Sequence, residues 1–230
     1  MKTIGLIGGM SWESTTHYYQ QLNRCINTRL GGFHSAKIVM VSVDFQPLEL
    51  HMQRGEWKEC EKILAGAAKK LERAGADFFL ICTNTMHKVA TGVAEAVDIP
   101  LLHIADATAT HIKEENVHTI GLLGTKFTME QDFYRSRIEK KFNIKVIIPN
   151  DYERQIVHDI IYNELVVGRI IESSKEEFKK IIKNLELNGA EGVVLGCTEI
   201  PLLIKQEDCD IPIFDTTTIH AKIAVKMALK

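Results

Sequence analysis

A chain of 230 residues, 45% of them hydrophobic, has enough apolar material for one large folded domain or two small ones. Lys and Arg total 28 against 30 Asp and Glu, with no long run of one sign, which argues against nucleic acid or an anionic membrane as the main partner. No stretch is long and apolar enough for a bilayer span or a signal-peptide core, and five scattered cysteines make no disulfide framework, so the expected home is a reducing cytoplasm.

Lys2 to Ile7 is a short β-forming run. Gly8-Gly9-Met10-Ser11 turns it into a helix whose apolar positions Trp12, Tyr19, Leu22, Ile26 and Leu30 follow helical spacing up to Gly31-Gly32. Such a turn offers backbone N–H groups to a carboxylate or phosphate. Its spacing is G-x-x-G-G and not the dinucleotide fingerprint G-x-G-x-x-G, which favours a small anionic ligand over NAD. A second strand is predicted over 36–44, then a loop from Phe45 to Gly55 containing Pro47, His51, Gln53 and Arg54. Arg54 suits a substrate carboxylate, or merely caps the helix predicted over 56–74, which buries Cys60, Ile63, Leu64, Ala67 and Leu71.

A buried strand then delivers Cys82 and Thr83, followed by Asn84-Thr85, a helix with Val89, Val93 and Val97 on one face, a strand from Leu101 to Ile104, and a helix capped by Asp106. After His118 the pattern restarts. A strand ends at Gly124-Thr125, and Thr128 opens a helix with Met129, Phe133, Ile138 and Phe142 inward. Thr125 and Thr128 either cap that helix or hold a ligand anion. A strand over 145–148 and helices over 152–167 and 175–188 lead to Gly189-Ala190-Glu191, a buried strand, and Gly196-Cys197-Thr198-Glu199. A strand from Ile211 to Phe214, Asp215 and a helix from Ile219 to Leu229 close the chain.

The two halves repeat one another. Gly75-Ala76-Asp77 aligns on Gly189-Ala190-Glu191 without a gap, which places Thr83 on Cys197 and Cys82 on Gly196. Thr3-Ile4-Gly5-Leu6-Ile7-Gly8 pairs with Thr119-Ile120-Gly121-Leu122-Leu123-Gly124, and Asp98-Ile99-Pro100 with Asp210-Ile211-Pro212. The expectation is an α/β fold of two pseudo-symmetric lobes, each a mostly parallel sheet flanked by helices. One lobe comprises residues 1–104 plus 216–230 and the other 105–215, with a cleft between them that receives both strand tips. Two such tips suit proton transfer on opposite faces of one carbon, since a thiol titrating near ~8.5 can be tuned to act as base or acid.

GLIGGMS near the start, CTNTMH at Cys82 to His87 and GCTEIPLL at Gly196 to Leu203 resemble signatures of the aspartate/glutamate racemase family, and the resemblance covers essentially the whole chain. It implies a 1,1-proton transfer on an amino acid by two residues, with neither pyridoxal phosphate nor metal, and a homodimer. It assigns the L face to Cys197. Where the family's first motif has its catalytic Cys directly before Asn, this chain has Thr83, with Cys82 one residue earlier. Neighbouring residues of an extended chain face opposite ways, so only one of the two serves, and the internal repeat favours Thr83. A threonine hydroxyl gives a proton more readily than it takes one, so turnover is expected to run faster from L- to D-aspartate or glutamate than back. Met10, Ser11, Asn84, Thr85, Thr125, Thr128 and Thr198 are the positions expected to hold the substrate carboxylate and ammonium. Glu199 would orient the ammonium or tune the thiol. His87 and His103 fit no zinc spacing. The competing readings are a sister reaction on another carboxylic acid, as in maleate isomerases, hydantoin racemases and arylmalonate decarboxylases, or a small-anion sensor without catalysis.

Overall fold

The computed structural model describes all residues from 1 to 230 and divides into two compact units, residues 1–104 with 220–230, and residues 105–219. The chain folds as α/β, with one parallel sheet in each unit.

In the first unit, β1 (Ile4–Gly8) is the central strand, β2 (Ile38–Ser42) lies at one edge and β3 (Phe78–Ile81) on the other side, all parallel. A parallel sheet must be covered on both faces, which explains why β1 and β3 are unbroken apolar runs. The first helix, α1 (Trp12–Leu30), covers one face together with Ala221, Ala224, Val225 and Ala228 of the last helix. Its inward positions are Tyr18, Leu22 and Ile26. Trp12, Tyr19 and Leu30, expected on that face, are instead 65%, 49% and 44% exposed. Tyr18 replaces Tyr19 because it continues the i, i+4, i+8 row of Leu22 and Ile26, and its hydroxyl finds a buried partner in His220 at 2.9 Å.

The stretch expected as a loop after β2 is a helix, α2 (Phe45–Gln53), whose cap is Asp44 accepting from the Gln46 N–H. Pro47 falls in its first turn, where no intrahelical N–H is required, so the proline is compatible with the helix. Then α3 (Trp57–Arg73) buries Cys60, Leu64, Ala67, Ala68 and Leu71. After β3 come a 3-10 turn over Thr85–Val89 and α4 (Ala90–Ala94) in place of one longer helix. The expected strand at Leu101 is reduced to a single bridge to Phe79, and the chain enters α5 (Ile104–Glu114) at once. Asp106 is therefore inside α5 and does not cap it. Its carboxylate binds Arg137 at 2.5 Å and Lys141 at 2.6 Å.

The second unit repeats this order and completes it. β4 (Thr119–Leu123) lies between β5 (Lys145–Ile147) and β6 (Gly192–Leu195), with β7 (Ile213–Asp215) beyond β6, all parallel. Its helices are α5 from Ala105 on, α6 (Lys126–Glu130), α7 (Asp132–Phe142), α8 (Asp151–Asn163), α9 (Glu172–Leu187), α10 (Ile200–Leu203) and α11 (Thr216–Ala228), the last passing into the first unit at His220. In α7 Tyr134, and not Phe133, is fully buried with Ile138, one helical turn away. The helix expected over 152–167 breaks after Asn163 into a 3-10 turn ended by Gly168 in the left-handed conformation. α11 starts three residues earlier than its apolar pattern suggested, because the Asp215 carboxylate accepts the N–H groups of Thr217 and Thr218.

The Gly-Ala-acid repeat has one structural job in both units. Gly75 and Gly189, with φ of 83° and 94°, turn the chain out of α3 and α9 in the left-handed region. The carboxylates of Asp77 and Glu191 then accept N–H groups at the mouth of the central strand, Thr3 at 2.6 Å in one unit, and His118 at 2.6 Å and Thr119 at 3.2 Å in the other.

Candidate active site

The two strand tips occupy matching rungs. In the first unit the last ladder bond of β3 runs from the Cys82 N–H to the Ile7 carbonyl. In the second it runs from the Gly196 N–H to the Leu123 carbonyl, so Thr83 and Cys197 each stand one residue beyond the sheet at its carboxyl edge.

Cys82 points the other way. Its side chain is fully buried among Ile4, Leu6, Leu22 and Phe78, and burial pushes its thiol well up. Thr83 is partly exposed. Met10 and Ser11 lie at the start of α1 in the same unit, where Ser11 caps the helix by accepting from the Ser14 N–H at 3.3 Å. Asn84 and Thr85 directly follow Thr83 and are buried. Arg54 makes no bond to any of these residues. It is exposed at the carboxyl end of α2 and has no ion-pair partner.

In the second unit the candidates converge more tightly. Thr125 caps α6 by accepting from the Thr128 N–H, and its hydroxyl lies 3.3 Å from that of Thr128. Gly196 lets the β6 tip approach β4. A Cβ there would meet the Leu123 carbonyl oxygen at 2.9 Å and Thr128 Cγ2 at 3.2 Å. Cys197 is 8% exposed and donates its thiol hydrogen to Oε2 of Glu199 at 3.0 Å. The Thr198 hydroxyl donates to the same oxygen, also at 3.0 Å. Burial first, and then the Glu199 charge and hydrogen bond, raise the Cys197 thiol well above the usual range, while the Thr198 and Glu199 N–H groups pull the other way. The sulfur is thus held as a thiol whose proton has an acceptor, with two backbone N–H groups placed to favour its charged form.

A buried aromatic group behind the first tip was not anticipated. The His87 Nδ1 is 2.8 Å from the Thr83 carbonyl, and its Nε2 is 3.2 Å from the Ile104 N–H. His103 packs on the His87 ring at 4.4 Å between centroids, and His220 meets it edge-on at 6.2 Å. His220 is held between the Tyr18 hydroxyl and the Leu102 carbonyl, both at 2.9 Å, and burial drives its pKa down to about 3. The only sequence signal was the i, i+4 spacing of Thr83 and His87, since His220 is remote in the chain. No group of three or more His, Cys, Asp or Glu side chains converges as metal ligands would.

Residues 7–224 match the sequence profile of the Asp/Glu/hydantoin racemase family. The chain belongs to that family. It is similar to a broad-specificity amino-acid racemase of Bacillus subtilis, with 22% identity over 227 residues that cover 98% of each protein. Among solved structures, a candidate Asp/Glu racemase from Yersinia pestis is 50% identical over the full length of both chains, with a TM-score of 0.94. An aspartate racemase homologue from Pyrococcus horikoshii OT3 is 38% identical, again over both full chains, with a TM-score of 0.87. The protein is therefore an enzyme, an amino-acid racemase.

Proposed function

We propose that this racemase converts an acidic L-amino acid, aspartate or glutamate, to its D form, with Cys197 and Thr83 as the two proton-transfer groups and no pyridoxal phosphate. The observation that carries this reading is the Cys197–Glu199 pair at 3.0 Å, one residue past the sheet. Glu199 accepts the thiol proton, and the thiolate, held by the Thr198 and Glu199 N–H groups, removes the α-proton from the L face. The Thr83 hydroxyl protonates the planar carbanion on its other face, and solvent returns a proton to Thr83 while Glu199 releases its own. Met10, Ser11, Asn84, Thr85, Thr125, Thr128 and Thr198 supply the candidate donors and contacts for the substrate's charged ends. Arg54 is the candidate for the side-chain carboxylate. The acidic substrate is supported by the names of the Yersinia and Pyrococcus relatives.

Thr83 gives a proton more easily than it takes one, so turnover runs faster from L to D, with Michaelis constants compensating because free enantiomers have equal energy. The test is incubation of protein freed of pyridoxal phosphate with L- and D-amino acids in deuterated buffer, following α-proton loss and chirality together. Deuterated D-aspartate or D-glutamate should form from the L side, should survive hydroxylamine treatment, and should vanish in Cys197→Ser. Absence of exchange with every amino acid would sink the reading.

We also propose a cytoplasmic homodimer. Five free cysteines support the compartment. A groove of about 310 Å³ lined by Trp12, Thr15, Tyr19 and Met40, on α1 and the edge strand β2, supports the self-association. Light scattering after size exclusion should give twice the chain mass, reduced to one chain by Tyr19→Glu.

A further inference from the structure

We infer that His87 is a positioning residue for the Thr83 proton donor, fixing the strand tip through its backbone carbonyl. The inference rests on the assignment of Thr83 as the acid. Thr83 is the first residue past the last rung of the sheet, so its part-buried carbonyl has no strand partner there and needs another donor. The His87 Nδ1 supplies it at 2.8 Å. A carbonyl only accepts, so Nδ1 carries the hydrogen. Nε2 then accepts the Ile104 N–H, the first amide of α5. The two bonds require one neutral tautomer.

The ring has little freedom to turn. It is buried, its own backbone N–H closes a turn on the Asn84 carbonyl at 3.0 Å, and the His103 ring lies against it at 4.4 Å. A side chain so held fixes the Thr83 carbonyl, hence the peptide plane and the direction in which the hydroxyl leaves the backbone. The other tip solves the same problem differently. The repeat places Pro201, which has no N–H, where His87 stands, and the Cys197 carbonyl accepts from the Ile200 N–H at 3.2 Å. A thiolate with a large, diffuse sulfur tolerates some misdirection. A hydroxyl protonating carbon must be aimed, and this tip carries the additional constraint.

Two substitutions separate aiming from packing. His87→Phe keeps the ring volume but neither bonds the Thr83 carbonyl nor accepts from Ile104, whereas in His87→Gln the amide supplies one donor and one acceptor. Both are assayed from L- to D-substrate with α-protonated and α-deuterated substrate, in light and heavy water. In the Phe variant the rate should fall on the order of 10-fold or more. The effect of α-deuteration should shrink toward unity and the solvent isotope effect should grow, because protonation by Thr83 becomes the slow step. The Gln variant should recover most of the rate and the wild-type isotope effects. Unchanged isotope effects in a slow Phe variant, or a Gln variant no better than Phe, would reduce His87 to a core residue. A wild-type enzyme showing no α-proton exchange would remove the racemase reading itself, a different outcome from either.

Discussion

The Cys197 thiol and the Glu199 carboxylate share a hydrogen across 3.0 Å, both buried at the end of β6. The carboxylate that disfavours the thiolate by its charge is also, in the mechanism proposed above, the group that takes up the thiol proton.

The two effects of Glu199 should therefore separate in Glu199→Gln. Loss of the negative charge brings the thiol down, so alkylation of Cys197 by iodoacetamide should shift to lower pH. Racemisation should nevertheless drop by roughly 10²-fold, the usual worth of a positioned base. A variant that alkylates faster and also racemises faster would show Glu199 to be only an electrostatic neighbour.

Cys82 and Thr83 make opposite predictions. Cys82→Ala should keep wild-type turnover and cost about 1–2 kcal/mol in a urea melt, because its sulfur packs in the core of the first unit. Thr83→Val keeps the shape and removes the hydroxyl. It should abolish D-product while α-proton exchange of the L-enantiomer persists, carried by Cys197 alone. Exchange and inversion lost together in Thr83→Val would point away from the assigned acid.

Gly196→Ala should both destabilise the second unit and slow the enzyme. The new methyl would press on the Leu123 carbonyl oxygen at 2.9 Å, backbone that cannot swing aside, and the residue it displaces is next to Cys197. A loss of about 1–3 kcal/mol in thermal melts is expected, with a fall in kcat.

His220 gives the fold an acid-sensitive component. Its folded-state pKa is lowered to about 3, so its contribution is complete above the unfolded value of 6.5 and is lost as pH falls through that window toward 3. Urea-unfolding free energies measured from pH 7 to pH 4 should decline, with His220 contributing up to about 1.4 kcal/mol per pH unit, and His220→Gln should flatten that slope. Identical slopes in the two proteins would place the acid sensitivity elsewhere.

Much of the fold was legible in the chain because its signals are local. Apolar runs such as Val193 to Leu195, the glycines that end α3 and α9, and the Gly-Ala-acid repeat each specify their own conformation, and duplication let one half check the other. The same repeat aligned Thr83 with Cys197, and the ladder bonds of Cys82 and Gly196 occupy equivalent rungs in their own sheets. Three things escaped. The buried face of α1 differs from the expected one because Tyr19, three residues before Leu22, fits helical spacing as Tyr18 does four before it; Tyr18 wins by continuing the Leu22–Ile26 row and by meeting His220, some two hundred positions away. The helix after β2 stands where a loop was expected, since its start is marked only by the Asp44 cap and its first turn accommodates Pro47. The role of the histidines behind Thr83 carries no sequence signal beyond their lack of zinc spacing, since the partners of His87 are a carbonyl and an amide that no side-chain pattern marks.

The sequence alone thus determined the element order, the parallel α/β architecture and the residues delivered to each strand end, all consequences of short-range periodicity and backbone preference. Tertiary structure decided which tyrosine of α1 is buried against His220, which rings pack behind Thr83, and that the His87 ring joins the Thr83 carbonyl to the Ile104 amide. Hydrogen bonds form between groups that only folding brings within 3 Å or so, and nothing in the local chain encodes that distance.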